Sequence, residues 1–250
     1  MHRRSRPAPT TRSRISNLRR RRARTAAPPP TGTQTLAVKI LDADFVTSMP
    51  AGGLLPADAG PVVAMVGRSN VGKSSLINAL IRRGLARAGA KPGTTRLVNL
   101  YAVRAVPAPG KRAMRMTLAD LPGYGFARGG SHARHEFEVI VRDFFAQATA
   151  PAAAPPQPGA PRLAGVILLL DGRHARLRSD LAAHAWLVER DYANIVVTTK
   201  NDRLSRSAQA RAHRAHEAAL GRPVLPVSSK TGAGLQGVRT AVGSLLTAAG

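Results

Sequence analysis

A nine-residue stretch decides the fold of this chain: Gly67-Arg68-Ser69-Asn70-Val71-Gly72-Lys73-Ser74-Ser75. Two glycines five residues apart, followed by Lys and Ser, form the pattern of a phosphate-binding loop. The apolar run at 62–66 predicts a buried strand before the loop, and apolar residues at helical spacing from 76 to 81 predict a helix after it. In that context, backbone N–H groups and the helix N-terminus bind phosphate oxygens. The stretch therefore predicts a nucleotide-binding protein, and the alternative is a glycine-rich turn that matches by chance.

Composition sets limits on the partner and the compartment. The 250 residues include 38 Lys and Arg against 13 Asp and Glu, a formal charge of +25, which favours a polyanionic partner such as nucleic acid. Only six of the basic residues are Lys, however, and Ala, Arg, Gly and Pro are abundant, as a G+C-rich genome would produce without selection for binding. The absence of cysteine excludes disulfides and thiolate metal sites. No apolar run approaches the ~20 residues of a membrane span, and no signal peptide is visible, so we expect a soluble, cytoplasmic, monomeric protein without a membrane partner.

The chain divides into a tail and one domain. Residues 1–34 contain ten Arg and no acidic residue, and such a segment is predicted to be disordered. It is interpreted as an RNA-binding arm, the result of a mislocated start codon, or an organelle transit peptide. Residues 35–250 form the predicted domain, with a low-complexity Pro/Ala-rich insertion at about 149–162.

Short apolar runs alternate with helical patterns throughout the domain. Strands are predicted at 36–41, 62–66, 97–103, 114–120, 166–170, 195–199 and 224–227, and helices at 76–81, 134–147, 179–190, 205–220 and 235–246. A turn at 107–110 makes the third and fourth strands a hairpin. This alternation indicates an α/β three-layer fold with a mostly parallel, predominantly six-stranded sheet and helices on both faces. Locally, Ser179 and Ser205 are expected to be helix N-caps, Phe45 to anchor the turn after the first strand, and Trp186 to lie in the core.

Further motifs follow the phosphate loop. Lys73 is expected to reach the β- and γ-phosphates and Ser74 to hold Mg²⁺. The run Asp120-Leu121-Pro122-Gly123 ends a strand, where the carboxylate can hold Mg²⁺ and the Gly123 N–H can meet a γ-phosphate. An ordinary turn at a strand end is the alternative for this run.

Two later segments concern the nucleotide base. The run Thr199-Lys200-Asn201-Asp202 follows a strand, and its carboxylate can accept hydrogen bonds from N1–H and the 2-amino group of guanine. Adenine offers neither group, so the carboxylate favours guanine. Backbone N–H groups of Ser228-Ser229-Lys230, after the last strand, can contact the guanine O6.

A loop between the first helix and the next strand can cover the phosphates. It contains Lys91-Pro92-Gly93-Thr94-Thr95, and Thr95, directly before the strand, is chosen over Thr94 to complete the Mg²⁺ shell when a γ-phosphate is present. A plain Pro-Gly turn is the alternative.

These elements stand in the order found in Ras-like P-loop GTPases. The runs at 67–80, 91–95 and Asp120-Leu121-Pro122-Gly123-Tyr124-Gly125 resemble the EngB family of bacterial ribosome-assembly GTPases over about 35–250. The resemblance implies a GTP-binding protein that assists maturation of the large ribosomal subunit, contacts its precursor or ribosomal RNA, and is linked to cell division and septation. It implies GTP or GDP and Mg²⁺ as cofactors, with Ser74 and Thr95 as metal ligands. The Arg-rich tail and the 149–162 insertion depart from the family pattern.

The expected chemistry is electrostatic, with Lys73, Thr95 and Gly123 as the catalytic residues. Ras-like enzymes orient water with a Gln where this chain has Tyr124, so slow intrinsic hydrolysis is expected, accelerated by a partner or by a monovalent cation such as K⁺. Asn70 either holds that cation, as in related potassium-activated GTPases, or braces the loop. The alternatives to a switch GTPase are a non-hydrolysing guanine-nucleotide-dependent RNA-binding or ribosome-binding module and a P-loop ATPase. The residues expected to bind the nucleotide are Gly67, Arg68, Ser69, Asn70, Val71, Gly72, Lys73, Ser74, Gly93, Thr94, Thr95, Arg96, Leu97, Asp120, Leu121, Pro122, Gly123, Thr199, Lys200, Asn201, Asp202, Val227, Ser228, Ser229 and Lys230.

Overall fold

The structure, a computed structural model, describes residues 37–86, 97–124, 130–150 and 159–249, apart from the side chains of 130–137. The predicted tail at 1–34, most of the 149–162 insertion and the 91–96 part of the phosphate-covering loop lie outside the described residues.

Within these residues, seven strands and five helices alternate along the chain. The strands are β1 (Lys39–Met49), β2 (Pro61–Gly67), β3 (Val98–Val106), β4 (Met114–Asp120), β5 (Arg162–Asp171), β6 (Asn194–Thr199) and β7 (Leu225–Pro226). The helices are α1 (Lys73–Ile81), α2 (Gly130–Ala148), α3 (Arg178–Glu189), α4 (Arg206–Leu220) and α5 (Leu235–Ala248), and a 3₁₀ turn covers Asn201–Arg203.

All seven strands form one sheet, in the order β1-β3-β4-β2-β5-β6-β7. β2, β4, β5, β6 and β7 are parallel, while β3 pairs antiparallel with both β4 and β1. The predicted mostly parallel sheet and the β3–β4 hairpin are therefore confirmed, and all seven predicted strands join the sheet, which was expected to be predominantly six-stranded. Because the parallel strands point the same way, their carboxyl ends meet at one edge of the sheet.

Alternation along the buried strands divides the core into two layers. Met65 and Leu169 face the layer that α1 and α5 cover, whereas the neighbouring residues Ala64 and Leu168 face the layer that contains Phe144 of α2. Helices on both faces thus bury the sheet, as predicted. None of the described helices is long and apolar enough to span a membrane.

Three local expectations have different outcomes. Ser205 caps α4 by accepting a hydrogen bond from the N–H of Ala208 at 3.3 Å, as predicted. Ser179 does not cap α3, because the helix begins at Arg178 and Ser179 already lies within it; the cap position is Leu177, whose backbone is extended and whose side chain makes no capping hydrogen bond. Phe45 anchors no turn, since β1 continues to Met49 and the ring, 50% exposed, packs edge-on against Tyr101.

Trp186 is only partly buried, at the border of the second core layer rather than within it. Its ring packs edge-on against Phe145 and Tyr192, and the guanidinium of Arg190 lies 4.2 Å from its ring centroid. Trp186 is therefore a border residue whose ring contacts an exposed arginine, and the expectation that it lies in the core is wrong.

Candidate nucleotide-binding site

The phosphate loop connects β2 to α1 and takes its shape from two residues with positive φ. Asn70 has φ 58° and Gly72 has φ 113°. The second value is in the region that favours glycine, because a Cβ atom is strained there. Gly67 is needed for a different reason, since a Cβ atom would lie 2.8 Å from the carbonyl oxygen of Leu169 on β5. The predicted loop between a strand and a helix is therefore present.

Lys73 begins α1, and its side chain folds back over the loop. Its Nζ donates to the carbonyl oxygens of Gly67 at 3.2 Å and Arg68 at 3.4 Å, and the residue is only 8% exposed. Burial lowers the pKa of Lys73, and the nearby charge of Asp120 opposes that shift. The ammonium group is thus held within the curl of the loop, where a phosphate would meet it.

Ser74 and Asp120 lie together, although 46 residues separate them in sequence. β4 is paired with β2, so Asp120 ends its strand beside the loop, and the Ser74 hydroxyl donates to its Oδ2 at 2.9 Å. The other carboxylate oxygen, Oδ1, is buried and finds no hydrogen-bond partner among the described residues. Burial raises the pKa of Asp120, against the lowering effects of Lys73 and Ser74.

An unpartnered carboxylate oxygen beside a hydroxyl suits a hard cation that prefers oxygen ligands. The residues present therefore fit Mg²⁺, held by Ser74 and, directly or through water, by Asp120. Thr95, the other expected ligand, lies outside the described residues, as do Gly93, Thr94 and Arg96.

Gly123 and Tyr124 pack against the phosphate loop. A Cβ atom on Gly123 would lie 2.5 Å from the backbone nitrogen of Ser69, so only glycine fits this approach. The Ser69 N–H donates to the Tyr124 carbonyl oxygen at 3.2 Å, and the Tyr124 hydroxyl donates to Oδ1 of Asp180 on α3 at 2.9 Å. Burial, together with the charge of Asp180, raises the pKa of Tyr124. Tyr124 is thus a neutral side chain fixed to α3.

Leu121 and Pro122, between Asp120 and Gly123, are buried, so their side chains belong to the core. Leu97 is 37% exposed immediately before β3.

The end of β6 and the residues that follow it form a compact loop at the same edge of the sheet. The Thr199 hydroxyl, in a residue 2% exposed, donates to the Val71 carbonyl oxygen at 2.6 Å. Asn201 donates from Nδ2 to the carbonyl oxygens of Thr198 at 2.6 Å and Val227 at 3.1 Å. Thr199 and Asn201 therefore hold the loop by contacts inside the protein.

Asp202 is exposed, and it lies against the segment after β7. The Ser228 hydroxyl donates to its Oδ1 at 2.7 Å, and this hydrogen bond is the main reason why the pKa of Asp202 is lowered. The N–H groups of Val227 and Ser228 are used within the protein, by Thr198 and Ala233. Among the predicted O6 donors, Ser229 and Lys230 are the residues whose N–H groups are not engaged in this way.

A buried carboxylate that the sequence analysis did not predict connects the two loops. Lys200 Nζ donates to the Asn70 carbonyl oxygen at 2.5 Å and to Oδ2 of Asp171 at 3.0 Å. Arg173 adds two side-chain hydrogen bonds to Asp171, at 2.9 and 2.8 Å. Although burial alone raises the pKa of Asp171, the hydrogen bonds from Arg173 and Lys200 hold it well below its usual range. The only sequence signal for this role was the position of Asp171 at the carboxyl end of a buried strand.

The structure thus brings the predicted phosphate, metal and base residues of its described part to one edge of the sheet. A phosphate loop after β2, an Asp-x-x-Gly segment after β4 and a Thr-Lys-x-Asp loop after β6 define a P-loop GTPase.

Known proteins place the chain within that class. Residues 62–200 match the protein family described as "50S ribosome-binding GTPase". The probable GTP-binding protein EngB of Anaeromyxobacter dehalogenans (strain 2CP-C) is 35% identical over 187 residues, which cover 74% of this chain and 81% of the relative. The protein of the same name from Symbiobacterium thermophilum is 36% identical, covering 77% of this chain and 90% of the relative. The chain belongs to the EngB family of GTP-binding proteins.

A solved structure supports the same fold. The crystal structure of a probable GTP-binding protein EngB superposes with a TM-score of 0.52 at 21% sequence identity, covering 75% of this chain and 99% of that chain.

Proposed function

We propose that this protein is a Mg²⁺-dependent, guanine-specific molecular-switch GTPase that assists assembly of the large ribosomal subunit in the cytoplasm. Membership of the EngB family supports GTP binding and hydrolysis in general, and the ribosome named in the matched family's description supports the choice of partner. The observation that carries the proposal is the position of Asp202, an ionised carboxylate at the nucleotide edge of the sheet.

The base would be recognised by one carboxylate and neighbouring backbone donors. Asp202 would accept hydrogen bonds from N1–H and the 2-amino group of guanine, while the N–H of Ser229 or Lys230 would donate to O6. Ser228 already fixes one oxygen of the carboxylate, so the group needs little reorganisation on binding. Adenine would leave this carboxylate without its partners.

The phosphates would be bound by the loop N–H groups, Lys73 and Gly123, with Mg²⁺ held by Ser74, Thr95 and Asp120. When bound, Mg²⁺ neutralises charge on the β- and γ-phosphate oxygens. Lys73 would give up its contacts with the Gly67 and Arg68 carbonyls to reach the same oxygens, and its position would then oppose charge that develops during hydrolysis.

Slow intrinsic hydrolysis is part of the proposal. Tyr124 occupies the position after Asp-x-x-Gly, its hydroxyl is committed to Asp180, and it has no amide to orient water. An assembly partner or K⁺ would therefore accelerate the reaction, with the Asn70 side chain as the candidate cation ligand. The hydrogen bond between Tyr124 and Asp180 also favours the second candidate, a non-hydrolysing guanine-nucleotide-dependent module, because it leaves no side chain at this position to orient water. Phosphate release with saturating partner, in potassium against sodium buffer, separates the two, because only a GTPase is accelerated.

The decisive experiment compares nucleotide affinities of the wild type and Asp202→Asn. Two charge-assisted hydrogen bonds, at about 1.5–3 kcal/mol each, correspond to at least ~100-fold weaker GDP binding in the variant. Xanthosine nucleotides should bind the variant better, because xanthine has a carbonyl where guanine has its amino group. Asp44→Asn, at an exposed site on β1, is the matched control and should leave affinity unchanged. Equal binding of ATP and GTP by the wild type would contradict guanine specificity.

The ribosomal part of the proposal needs its own test. Sedimentation with precursor large-subunit particles should show binding that depends on whether GTP or GDP is present, because the γ-phosphate can order loops near the site. Affinity independent of the nucleotide would argue against a switch.

A further inference from the structure

Exposed arginines cluster where α3 and α4 begin, at the nucleotide edge of the sheet. α3 packs against α4, and both helices start after the carboxyl ends of their strands, β5 and β6. Six exposed residues form what we call the α3–α4 basic face: Arg176, Arg178, Arg203, Arg206, Arg211 and Arg214. Within the described part of the chain, none of the six has an ion pair or a side-chain hydrogen bond.

Carboxylates near this face are turned toward other partners. Asp171 binds Arg173 and Lys200, Asp180 accepts from Tyr124, and Asp202 accepts from Ser228. Glu217, the acidic residue of α4, is paired with His213 at 3.5 Å and lies near the Val224 N–H. Asp202 also attracts the neighbouring Arg203, but the other five arginines of the face have no carboxylate partner within the described residues.

The positions of the arginines, rather than their number, support a binding role. A composition bias toward arginine would place the residues anywhere, and others elsewhere in this chain do find partners, as Arg115 does with Asp58. Arg206, in contrast, is at the N-terminus of α4, where the helix dipole disfavours a cation. The first turn of α4 has no acidic residue to offset it. A bound anion would offset the unfavourable interaction between the Arg206 charge and the helix dipole.

The chemistry of the face favours the phosphate backbone of RNA over a protein or a lipid surface. The exposed side of α4 carries Ser207, Ala210 and Ala218 beside its arginines, and no large apolar side chain is exposed on that helix. Protein interfaces need buried apolar or aromatic anchors, and membrane-surface helices need an apolar face to insert. Arginine binds phosphate through two parallel hydrogen bonds, and Arg206 to Arg214 span about 12 Å of helix at 1.5 Å per residue.

We propose that the α3–α4 basic face is the surface with which this protein binds the phosphate backbone of structured RNA. The inference rests on the proposed ribosomal function and adds the location of the contact. α4 is also fixed to the base loop, because Gln209 Nε2 donates to the carbonyl oxygens of Asn201 at 2.9 Å and Leu204 at 3.0 Å. RNA on this face would therefore contact the same rigid segment that carries Asp202.

The test measures affinity of the full-length protein for a labelled RNA hairpin across a range of KCl concentrations. The triple variant Arg206→Gln, Arg211→Gln, Arg214→Gln is compared with Arg104→Gln, Arg112→Gln, Arg162→Gln. The control arginines are exposed, form no ion pair within the described residues, and lie near the opposite edge of the sheet, so both variants lose the same charge. The N-terminal arginines remain in both proteins and contribute equally.

Removing one arginine that binds a phosphate lowers the salt dependence of binding by about 0.7–0.9 in log–log slope. We expect the slope of the α4 triple variant to fall by about 2–3, and the control to keep the wild-type slope within about 0.5. The slope of a second variant, Arg176→Gln with Arg178→Gln, should fall by about 1.4–1.8. GDP affinity, measured in parallel, should be unchanged in all three and shows that each variant is folded.

Three results would overturn the inference. Equal slopes for the α4 variant and the control would place the RNA contact elsewhere, while leaving guanine specificity and particle binding untouched. Binding of anionic lipid vesicles with no binding of the hairpin would identify a membrane surface instead. Failure of the wild type itself to bind particles, with GDP binding intact, would instead refute the ribosomal proposal on which the inference rests.

Discussion

The hydroxyl of Thr199 provides a test of how the phosphate loop is held. It donates to the Val71 carbonyl oxygen at 2.6 Å, with the Leu170 carbonyl oxygen more distant at 3.2 Å. A hydroxyl has one hydrogen, so the shorter contact is the main hydrogen bond. Val71 is 2% exposed, and water cannot easily replace this donor. Thr199→Val keeps the side-chain volume and removes only the donor.

The size of the effect follows from two opposing contributions. A buried carbonyl left without a partner costs about 1–3 kcal/mol, and the additional methyl group returns up to about 0.8 kcal/mol through apolar burial. We therefore expect Thr199→Val to lower the free energy of unfolding by about 1–2 kcal/mol. For a domain of this size, that loss lowers Tm by about 2–8 °C. Urea and thermal unfolding of the nucleotide-free protein both measure it.

Thr198→Val is the matched control. Thr198 is the preceding residue on β6, is also 2% exposed, and its hydroxyl oxygen has only a long contact, 3.5 Å from Asn201 Nδ2. Its substitution should change the free energy of unfolding by less than about 0.5 kcal/mol. The reasoning is refuted if Thr199→Val is as stable as the wild type, or if the two variants are destabilised by the same amount.

Two further predictions concern the buried carboxylates. In buffer with EDTA, Asp120→Asn should raise the free energy of unfolding by about 1 kcal/mol, because it removes a buried charge with an unpartnered oxygen. The same variant should lose the stability that Mg²⁺ and GDP together add to the wild type. Thermal unfolding with and without MgGDP measures both effects, and a variant that is less stable than the wild type in EDTA would contradict the first of them. For Asp171, the folded pKa lies below the unfolded value of about 3.9, so its stabilisation is present above that pH and is lost as pH falls through the range below it. The stability difference between the wild type and Asp171→Asn should thus be widest above pH ~4 and should narrow in more acidic urea titrations; a constant difference would show that the carboxylate charge is not what matters.

Local sequence patterns correctly predicted those features of the fold that depend on residues close together in the sequence. The spacing of Gly67, Gly72 and Lys73 predicted a strand, a loop and a helix because both glycines meet a requirement within the loop itself. Gly72 has a positive φ, and a Cβ atom on Gly67 would lie 2.9 Å from Cγ1 of Val71. The buried strands of the sheet were recognised for a similar reason, since a strand that is buried on both faces is a continuous apolar run in the sequence. Ser205 was correctly predicted as a cap because its hydroxyl needs only an N–H three residues later.

Predictions failed where the deciding contact came from a distant part of the chain. Phe45 was expected at a turn, but pairing with β3 continues β1 through that position, and Tyr101 provides its contact. The backbone donor of Ser228 was expected to face the base, whereas the carbonyl oxygen of Ala233 accepts its hydrogen bond. Sequence spacing contains no information about which acceptor a strand end will meet.

The most important of these distant contacts join the two ends of the site. Thr199 donates to Val71 across 128 residues of sequence, and Lys200 donates to Asn70 across 130. Asp171 holds Lys200 in place from a third strand. The phosphate loop and the base loop are therefore joined by hydrogen bonds into one rigid unit. Because both loops are already ordered, less conformational entropy is lost when a nucleotide binds to them. It follows that a substitution at the end of β6 should weaken the binding of the phosphates as well as the binding of the base.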